Sequence, residues 1–220
     1  MMAIHLQEEI SSLKRHILAQ STQVEACVEK AVQALERGDV NLARAVISQD
    51  DKINHAEVAL EEECLKVLAL HQPVATDLRF IISVIKINSD LERIADVAVN
   101  IAKRILMLDE EKAVEPPFDY KVMGQRVMRM FRSSLDALVD LDSRLARKVI
   151  RTDDEVDAIH RATYGLVKSK ILEQPAHLNA LMLWLAVSRH LERIADLSAH
   201  IAEDVVYMID GEIVRHGWGS

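Results

Sequence analysis

The sequence predicts an all-α fold made of two pseudo-repeated antiparallel three-helix bundles, six long helices in all. The composition points away from sheet, because aromatic residues make up only 4% of 220 residues and there are six Gly and four Pro. Apolar residues recur at alternating spacings of four and three, the period of an amphipathic helix. A stretch of the first half, DLERIADVAVNIA at 90–102, also returns in the second half as HLERIADLSAHIA at 190–202.

The first two helices are separated by a clear stop signal. Apolar side chains follow the 4-3 spacing from Leu6 to Leu35, broken only by Gln20, and stop before Gly38, which suits the left-handed residue after a helix. Asp39 can cap the next helix, which we expect to run from about 40 to 70. It stops before Pro73, because proline excludes the helical conformation of the residue that precedes it.

The third helix and its successors complete the two halves. The 4-3 spacing continues from Phe80 to Ile105 and is lost in DEEKAVEPP, which ends in two prolines and is interpreted as a linker. Three further helices are expected at about 118–141, 143–173 and 176–209. We therefore predict a first bundle over 1–108, a linker over 109–117, a second bundle over 118–210 and a flexible tail over 211–220.

A duplication explains most, but not all, of the similarity between the halves. DVNLARAVISQDDKIN at 39–54 matches DSRLARKVIRTDDEVD at 142–157 in eight of sixteen positions, with an offset of 103. The later pair, around 90 and 190, has an offset of 100. Apolar positions such as Leu91 and Leu191 recur because both cores need them. The fold does not require the acidic residues to recur as well.

The repeated acids lie on one face of their helices. Glu92 and Asp96 are four residues apart, as are Glu192 and Asp196, so each pair stacks on one side. At about 100° per residue, that side is turned away from the apolar stripe. Any site that these side chains form is therefore expected near the surface.

The antiparallel hairpins bring further polar side chains to the same height. Asn54 lies 18 residues before the turn near 72, and Asp90 lies 18 residues after it, roughly 27 Å along each helix. The acids of the preceding helix in each half are therefore level with the repeated pair. The candidate ligands are Asp50, Asp51, Asn54, Glu92, Asp96 and Asn100 in the first half, and Asp153, Asp154, Asp157, Glu192, Asp196 and His200 in the second.

Two interpretations of these acids remain open at this point. One is a solvated acidic face relieved by local pairs, Arg93 with Asp96 and Arg193 with Asp196, each of small energy at a surface. The other is a pair of cation sites, because clustered carboxylates repel one another unless a metal neutralises them. Oxygen ligands with an imidazole suit Mg, Mn, Fe or Zn, and the residues do not decide among these metals.

Other chemistries are weaker candidates. The sequence has no P-loop, no GxSxG and no HExxH, and we predict no catalytic residue. The Glu-x-x-His pairs of di-iron bundles are absent, although Asp157-x-x-His160 has the same spacing with Asp in place of Glu. The alternative from another class is a carboxylate-bridged metalloenzyme such as a metal-dependent phosphohydrolase, for which Arg79, Arg93, Arg189 and Arg193 are the only candidate phosphate ligands near the acids.

Charge and hydropathy restrict the partners. The net charge of −8 gives no basic footprint for nucleic acid. The longest apolar runs, such as LNALMLWLAV, are too short to cross a bilayer, and the N-terminus has no signal-peptide layout, so we expect a cytoplasmic protein. Cys27 and Cys64 fall at apolar positions of predicted helices and are expected to be buried thiols.

Several motifs together resemble the PhoU family of phosphate-signalling regulators. They are ALERGDVNLARAVISQDDKIN, the QPVATDLR stretch followed by SDLERIADVAVNIA, and the second DDEVD with HLERIADLSAHIA. The resemblance covers nearly the whole chain and implies a pair of three-helix bundles. It also implies that the family's metal motifs fall on Glu92 with Asp96 and on Glu192 with Asp196, with acids of the preceding helices as co-ligands. Asn54 departs from the acid at Asp157, so the first site could be weaker or differently loaded.

The resemblance also implies a regulatory function without enzymatic activity. Members of the family repress the phosphate-starvation response and restrain phosphate uptake. The implied partners are the ATPase subunit of a phosphate ABC transporter, which keeps the protein peripheral to the membrane, and a phosphate sensor histidine kinase. A homodimer is also implied. A related regulator of a low-affinity phosphate transporter is a further alternative that differs only in its partner.

Overall fold

The fold is entirely helical over the residues that the computed structural model describes, 2–111 and 114–214. No β-strand occurs in these two ranges, which confirms the predicted all-α class. A 3-10 turn at Pro175–His177 joins the last two helices. The α-helices are α1 (Met2–Arg37), α2 (Val40–Ile47), α3 (Asp50–His71), α4 (Ala75–Glu110), α5 (Tyr120–Asp140), α6 (Ser143–Glu173) and α7 (Leu178–Asp210).

Aspartate caps start the equivalent helices of the two halves. The Asp39 carboxylate accepts a hydrogen bond from the Leu42 N–H at 3.0 Å, as predicted. In the copy, Asp142 accepts from the N–H groups of Arg144 and Leu145 at 2.9 and 3.0 Å. These carboxylates satisfy donors that the first turn leaves unpaired. Gly38 has a φ of +64°, which confirms its predicted place after α1.

The second of the six predicted helices is divided in the structure. A break at Ser48 and Gln49 separates α2 from α3, whereas the equivalent α6 is continuous. Around the break, the N–H groups of Gln49 and Lys52 donate to carbonyls three residues back, on Val46 and Gln49. This tighter bonding interrupts the α-helical pattern without reversing the chain. The apolar spacing carries no signal of it, because the break keeps the same face inward.

Two central helices join the halves. Helix α4 packs on α1, α2 and α3, helix α7 packs on α5 and α6, and the two pack on each other. The repeated apolar residues of these two helices are fully buried: Leu91, Ile94, Ile101, Leu191, Ile194 and Ile201. The buried side chains of both halves form one continuous hydrophobic cluster. The independent domain boundaries at 108 and 118 stay a prediction.

The remaining predictions about the core agree with the structure. Cys27 and Cys64 are fully buried, and burial is the main reason that the thiol pKa rises to about 11 and about 12. Neither thiol ionises near neutral pH, so neither is a nucleophile. Among the described helices, none is both long and apolar enough to cross a membrane. Of the predicted tail, only 211–214 falls within the described residues.

Candidate metal centre

The second half gathers three carboxylates on two adjacent helices. Asp153 and Asp157 lie one turn apart on α6, and Asp196 lies on α7 beside them. One carboxylate oxygen from each lies within 4.8 Å of the others, and all three side chains are half-buried. Glu192 belongs to the same group, because its pKa is raised by burial and then by the charges of Asp196 and Asp157. The four acids are the second cluster.

Asp153 is the most perturbed acid of the second cluster. The pKa of its carboxyl is raised to about 7, mainly by burial and then by the charges of Asp196, Asp157, Asp154 and Glu192. Its Oδ1 is buried and has no hydrogen-bond partner. A carboxylate oxygen that is removed from water and unpaired is costly, unless it is protonated or bound to a cation.

His160 extends the second cluster beyond the residues that the sequence singled out as ligands. It lies one turn after Asp157, is half-buried, and has its Nδ1 2.9 Å from the Ser188 Oγ. Burial lowers the imidazole pKa, and the Arg189 charge lowers it too, against the opposing effects of Asp157 and Asp196. The ring therefore favours the neutral form that ligates metals, with Nε2 as the nitrogen not engaged with Ser188. The Asp157-x-x-His160 spacing was its only sequence signal.

The first half builds a similar cluster from Asp50, Glu57, Glu92 and Asp96, the first cluster. The pKa of Asp50 is raised by burial and then by Asp96, while Lys103 opposes the shift. The pKa of Glu92 is raised by burial, then by Asp96, Glu57 and Asp50. These mutual effects show that the acids of α3 and α4 face one another. The acids of α3 therefore lie at the same height as those of α4, as predicted from the distance of each to the turn.

Unpaired oxygens mark the first cluster as well. The Oδ1 atoms of Asp50 and Asn54 are buried and without a hydrogen-bond partner. Within the described ranges, however, only the second cluster brings three ligand atoms within 4.8 Å. Asn54 occupies the position of Asp157, so the first cluster has one negative charge fewer there. Asp51 and Asp154 are exposed residues beside the clusters.

Glu57 was missed by the sequence analysis, although it occupies the position of His160 in the repeat. Burial raises its pKa, and the neighbouring Glu61 raises it further. Its backbone carbonyl accepts a hydrogen bond from the Asn88 amide at 2.8 Å, which ties α3 to α4 beside the cluster. The sequence could have identified it through the offset of 103, because Glu57 then corresponds to the histidine of Asp157-x-x-His160.

The structure also gives the positions of two further predicted ligands, His200 and Asn100, and of the two predicted arginine pairs. His200 is exposed and lines a groove of about 660 Å³ with residues of α3 and α4 from the other half. Asn100 is half-buried on α4. Arg193 does lie 3.4 Å from Asp196, but Arg93 contacts Asp90 at 3.5 Å in place of the predicted Asp96. The reason is that Asp90, three residues before Arg93, is the nearer carboxylate on the buried side.

The donor sets of both clusters fit a hard or borderline divalent cation. Unpaired buried oxygens, carboxylates from two helices and, in the second cluster, one imidazole are the ligands that Mg, Mn, Fe and Zn accept. Apart from the exposed Asp96, the acids of both clusters are partly buried, unlike those of a solvated acidic face, where water would satisfy every oxygen. The residues that would hold the ion are Asp50, Asn54, Glu57, Glu92 and Asp96 in the first half, and Asp153, Asp157, His160, Glu192 and Asp196 in the second.

Asp153→Asn should stabilise the protein at neutral pH when a chelator is present. Between its ordinary pKa of 3.8 and about 7, the folded Asp153 keeps a proton that the unfolded chain has lost, so stability falls as the pH rises through this window. Asparagine removes the penalty. At pH 7.5 we expect Tm to rise by about 2–4 °C per kcal/mol relieved, with no gain at pH 4. The exposed Asp136→Asn serves as the control, and a loss of Tm at pH 7.5 for Asp153→Asn would contradict the assignment.

Exchanging the residues that differ between the clusters should exchange their metal affinities. Asp157→Asn removes a charged ligand and should weaken Mn²⁺ binding at the second cluster by on the order of tenfold. Asn54→Asp should strengthen binding at the first cluster by a similar factor. Isothermal titration with Mn²⁺ measures both. Two variants with unchanged binding would show that neither residue contacts a metal.

Comparison with known proteins identifies the same two-fold repeat. The PhoU domain matches this chain twice, over residues 17–105 and 120–205. A phosphate-specific transport system accessory protein PhoU homolog of Aquifex aeolicus is 38% identical over 209 residues, 95% of both chains. The homolog of Pseudomonas aeruginosa is 38% identical over 211 residues, 94% of this chain and 86% of the relative. These relatives are named as accessory proteins, which confirms the prediction that the chain is not an enzyme and disfavours the phosphohydrolase alternative.

Solved structures agree in fold with nearly the whole chain. The crystal structure of PhoU from Pseudomonas aeruginosa has a TM-score of 0.89 at 37% identity and covers 94% of this chain and 99% of its own. The phosphate transport system regulatory protein PhoU from Streptococcus pneumoniae has a TM-score of 0.83 at 32% identity, with 95% and 99% covered. Two matched domains, extensive identity and a shared fold lead to one conclusion: the chain belongs to the PhoU family.

Proposed function

We propose that the protein is a cytoplasmic adaptor that restrains phosphate uptake and represses the phosphate-starvation response. Its partners are the ATPase subunit of a phosphate ABC transporter and a phosphate sensor histidine kinase. The observation that carries the proposal is the match to PhoU accessory proteins over 95% of the chain. Their names tie them to a phosphate-specific transport system, so the same system is the first candidate for this chain.

The architecture supports an adaptor role. Helices of 31 to 36 residues present long faces on both sides of a central α4–α7 pair. The two thiols are buried with raised pKa values and cannot act as nucleophiles, and the groove that His200 lines is bordered by residues of both signs. Such surfaces suit binding of other proteins, and a homodimer with a membrane-peripheral position follows from the same proposal.

The two clusters give the adaptor a means of control. Each would hold a metal between two helices, α3 and α4 in the first half and α6 and α7 in the second. A metal bridging the helices by their acids would stiffen each hairpin and fix the surface that partners meet. The metal then acts on conformation, and the acids themselves do no chemistry.

Deleting the gene for this protein should raise transcription of phosphate-responsive genes at high phosphate, where an intact adaptor keeps them low. Reintroducing the wild-type gene should restore repression. A variant with Asp153→Asn and Asp196→Asn should restore it only in part, if the second cluster controls docking, and Asp136→Asn should restore it fully. A reporter gene under phosphate control measures each strain. Unchanged transcription in the deletion strain would remove the proposed function.

A further inference from the structure

The tip of the α6–α7 hairpin has an apolar groove that the proposed function leaves unassigned. Its volume is about 220 Å³, and it lies between the two helices. Its base is the buried Val167. The other lining residues are Tyr164, Lys168, Ile171 and Leu172 of α6, and Met182 and Leu185 of α7.

The rim of this groove is exposed to solvent to an unusual extent for large apolar side chains. Leu172 is 78% exposed, Tyr164 is 62% exposed and Met182 is 49% exposed. Exposed apolar residues that adjoin one another around a concavity are typical of protein-binding surfaces. Exposed apolar residues without such a role are usually scattered singly over the surface. Covering them would recover apolar area that folding leaves in water.

The internal repeat shows that the fold does not require these residues. With the offset of 103, Tyr164 and Leu172 correspond to Glu61 and Ala69 on α3. Both hairpins have the same antiparallel helices, yet at these two positions the first carries an acid and a methyl group. At these two positions only the second copy carries large apolar side chains, although Leu65 and Leu70 of α3 are exposed as well, and helix packing does not account for the difference.

The charged residues around the groove also differ between the two copies. Lys168 lines the groove, and by helix spacing Arg161 and Arg189 lie one turn away on the same face, next to Tyr164 and Leu185. Arg161 also lies 3.9 Å from Asp157, at the edge of the second cluster. No lining residue of the groove is acidic.

The corresponding residues of the first copy are Leu65, Val58 and Ser89, accompanied by Glu57 and Glu61. Lys168, Arg161 and Arg189 thus border the groove with positive charge, and the acids of the second cluster begin one turn beyond the two arginines, at Asp157 and Glu192. The complement of this positive border is an acidic partner.

We propose that this groove docks an amphipathic helix of a partner protein, apolar on one face and acidic along its flanks. Two parallel ridges of side chains on α6 and α7 accept the apolar side chains of a third helix, and the three cations meet its acids. The groove together with Arg161 beside it extends along α6 from Arg161 to Leu172, about 17 Å or three helical turns. A concave site suits a helix better than it suits a flat membrane surface.

The inference rests on the proposed adaptor role only in that an adaptor needs partner surfaces. A binding measurement with purified protein tests the groove independently of the transcription assay that tests the adaptor role. The probe is a labelled 18-residue peptide with Leu at the 4-3 spacing and Glu at the flanking positions. A second peptide has Lys in place of each Glu, and fluorescence anisotropy with the full chain gives both affinities.

The acidic peptide should bind saturably and at least tenfold more tightly than the lysine peptide. Tyr164→Glu with Leu172→Ala installs the residues of the first copy and should weaken binding at least tenfold, as should Lys168→Glu. The matched control is Val58→Ala with Leu70→Ala on α3, where both residues are more than half exposed, and it should change nothing. Circular dichroism of every variant checks that the helices remain.

Several results would overturn the proposal. They are no binding of the acidic peptide, equal binding of both peptides, or binding unaffected by the groove variants. Binding of phosphatidylglycerol vesicles that the groove variants lose, without peptide binding, would assign the groove to a membrane surface. Self-association in analytical ultracentrifugation that the groove variants abolish, again without peptide binding, would assign it to a second copy of the chain.

Discussion

The packing of α4 against α7 is the contact on which the rest of the structure depends. Their inward faces are apolar and fully buried, and each such side chain contributes roughly 1.5–3 kcal/mol by leaving water. Since α1, α2 and α3 rest on one of these helices and α5 and α6 on the other, the pair fixes both halves. It also fixes the direction of every other residue on the two helices, including the acids.

That constraint creates the electrostatic conflict at the centre of the proposed site. With Leu91 and Ile94 turned inward, Glu92 and Asp96 must face α3, where Asp50 and Glu57 face them in turn. The same registry in the copy brings Asp153 toward Asp196, and burial with mutual repulsion raises the pKa of Asp153 to about 7. A duplicated core alone would not preserve such repulsion in both copies. A cation between the helices, as proposed, would relieve this repulsion and link the two helices.

Much of this arrangement could be predicted from the sequence, and the failures have physical causes. Period and caps predicted the helices, and counting from each turn placed Asp153 and Asp157 beside Asp196. The break at Ser48 and Gln49 was missed, because a local change to three-residue bonding leaves the apolar stripe in phase. His200 lines the groove shared with the other half, because eight residues turn a helix about 80° beyond Glu192, and its role as a ligand stays a prediction.

The repeat is more informative where its copies differ than where they agree. The two copies agree in the core and in the repeated acids. They differ where Asn54 corresponds to Asp157, Glu57 to His160 and Glu61 to Tyr164, and these differences distinguish the sites of the two halves. The second copy has the more compact ligand set and, further along the same face, the apolar groove with its cations. A metal that stiffens α6 against α7 would therefore also shape the groove.

Elemental analysis of the protein purified without chelator tests the central claim most directly. It is run beside Glu92→Ala/Asp96→Ala and Glu192→Ala/Asp196→Ala variants, each of which removes the repeated acids of one cluster. The account predicts bound metal that falls in two steps, one for each pair. No metal in any sample, and none taken up on adding Mn²⁺, Fe²⁺ or Zn²⁺, would contradict it.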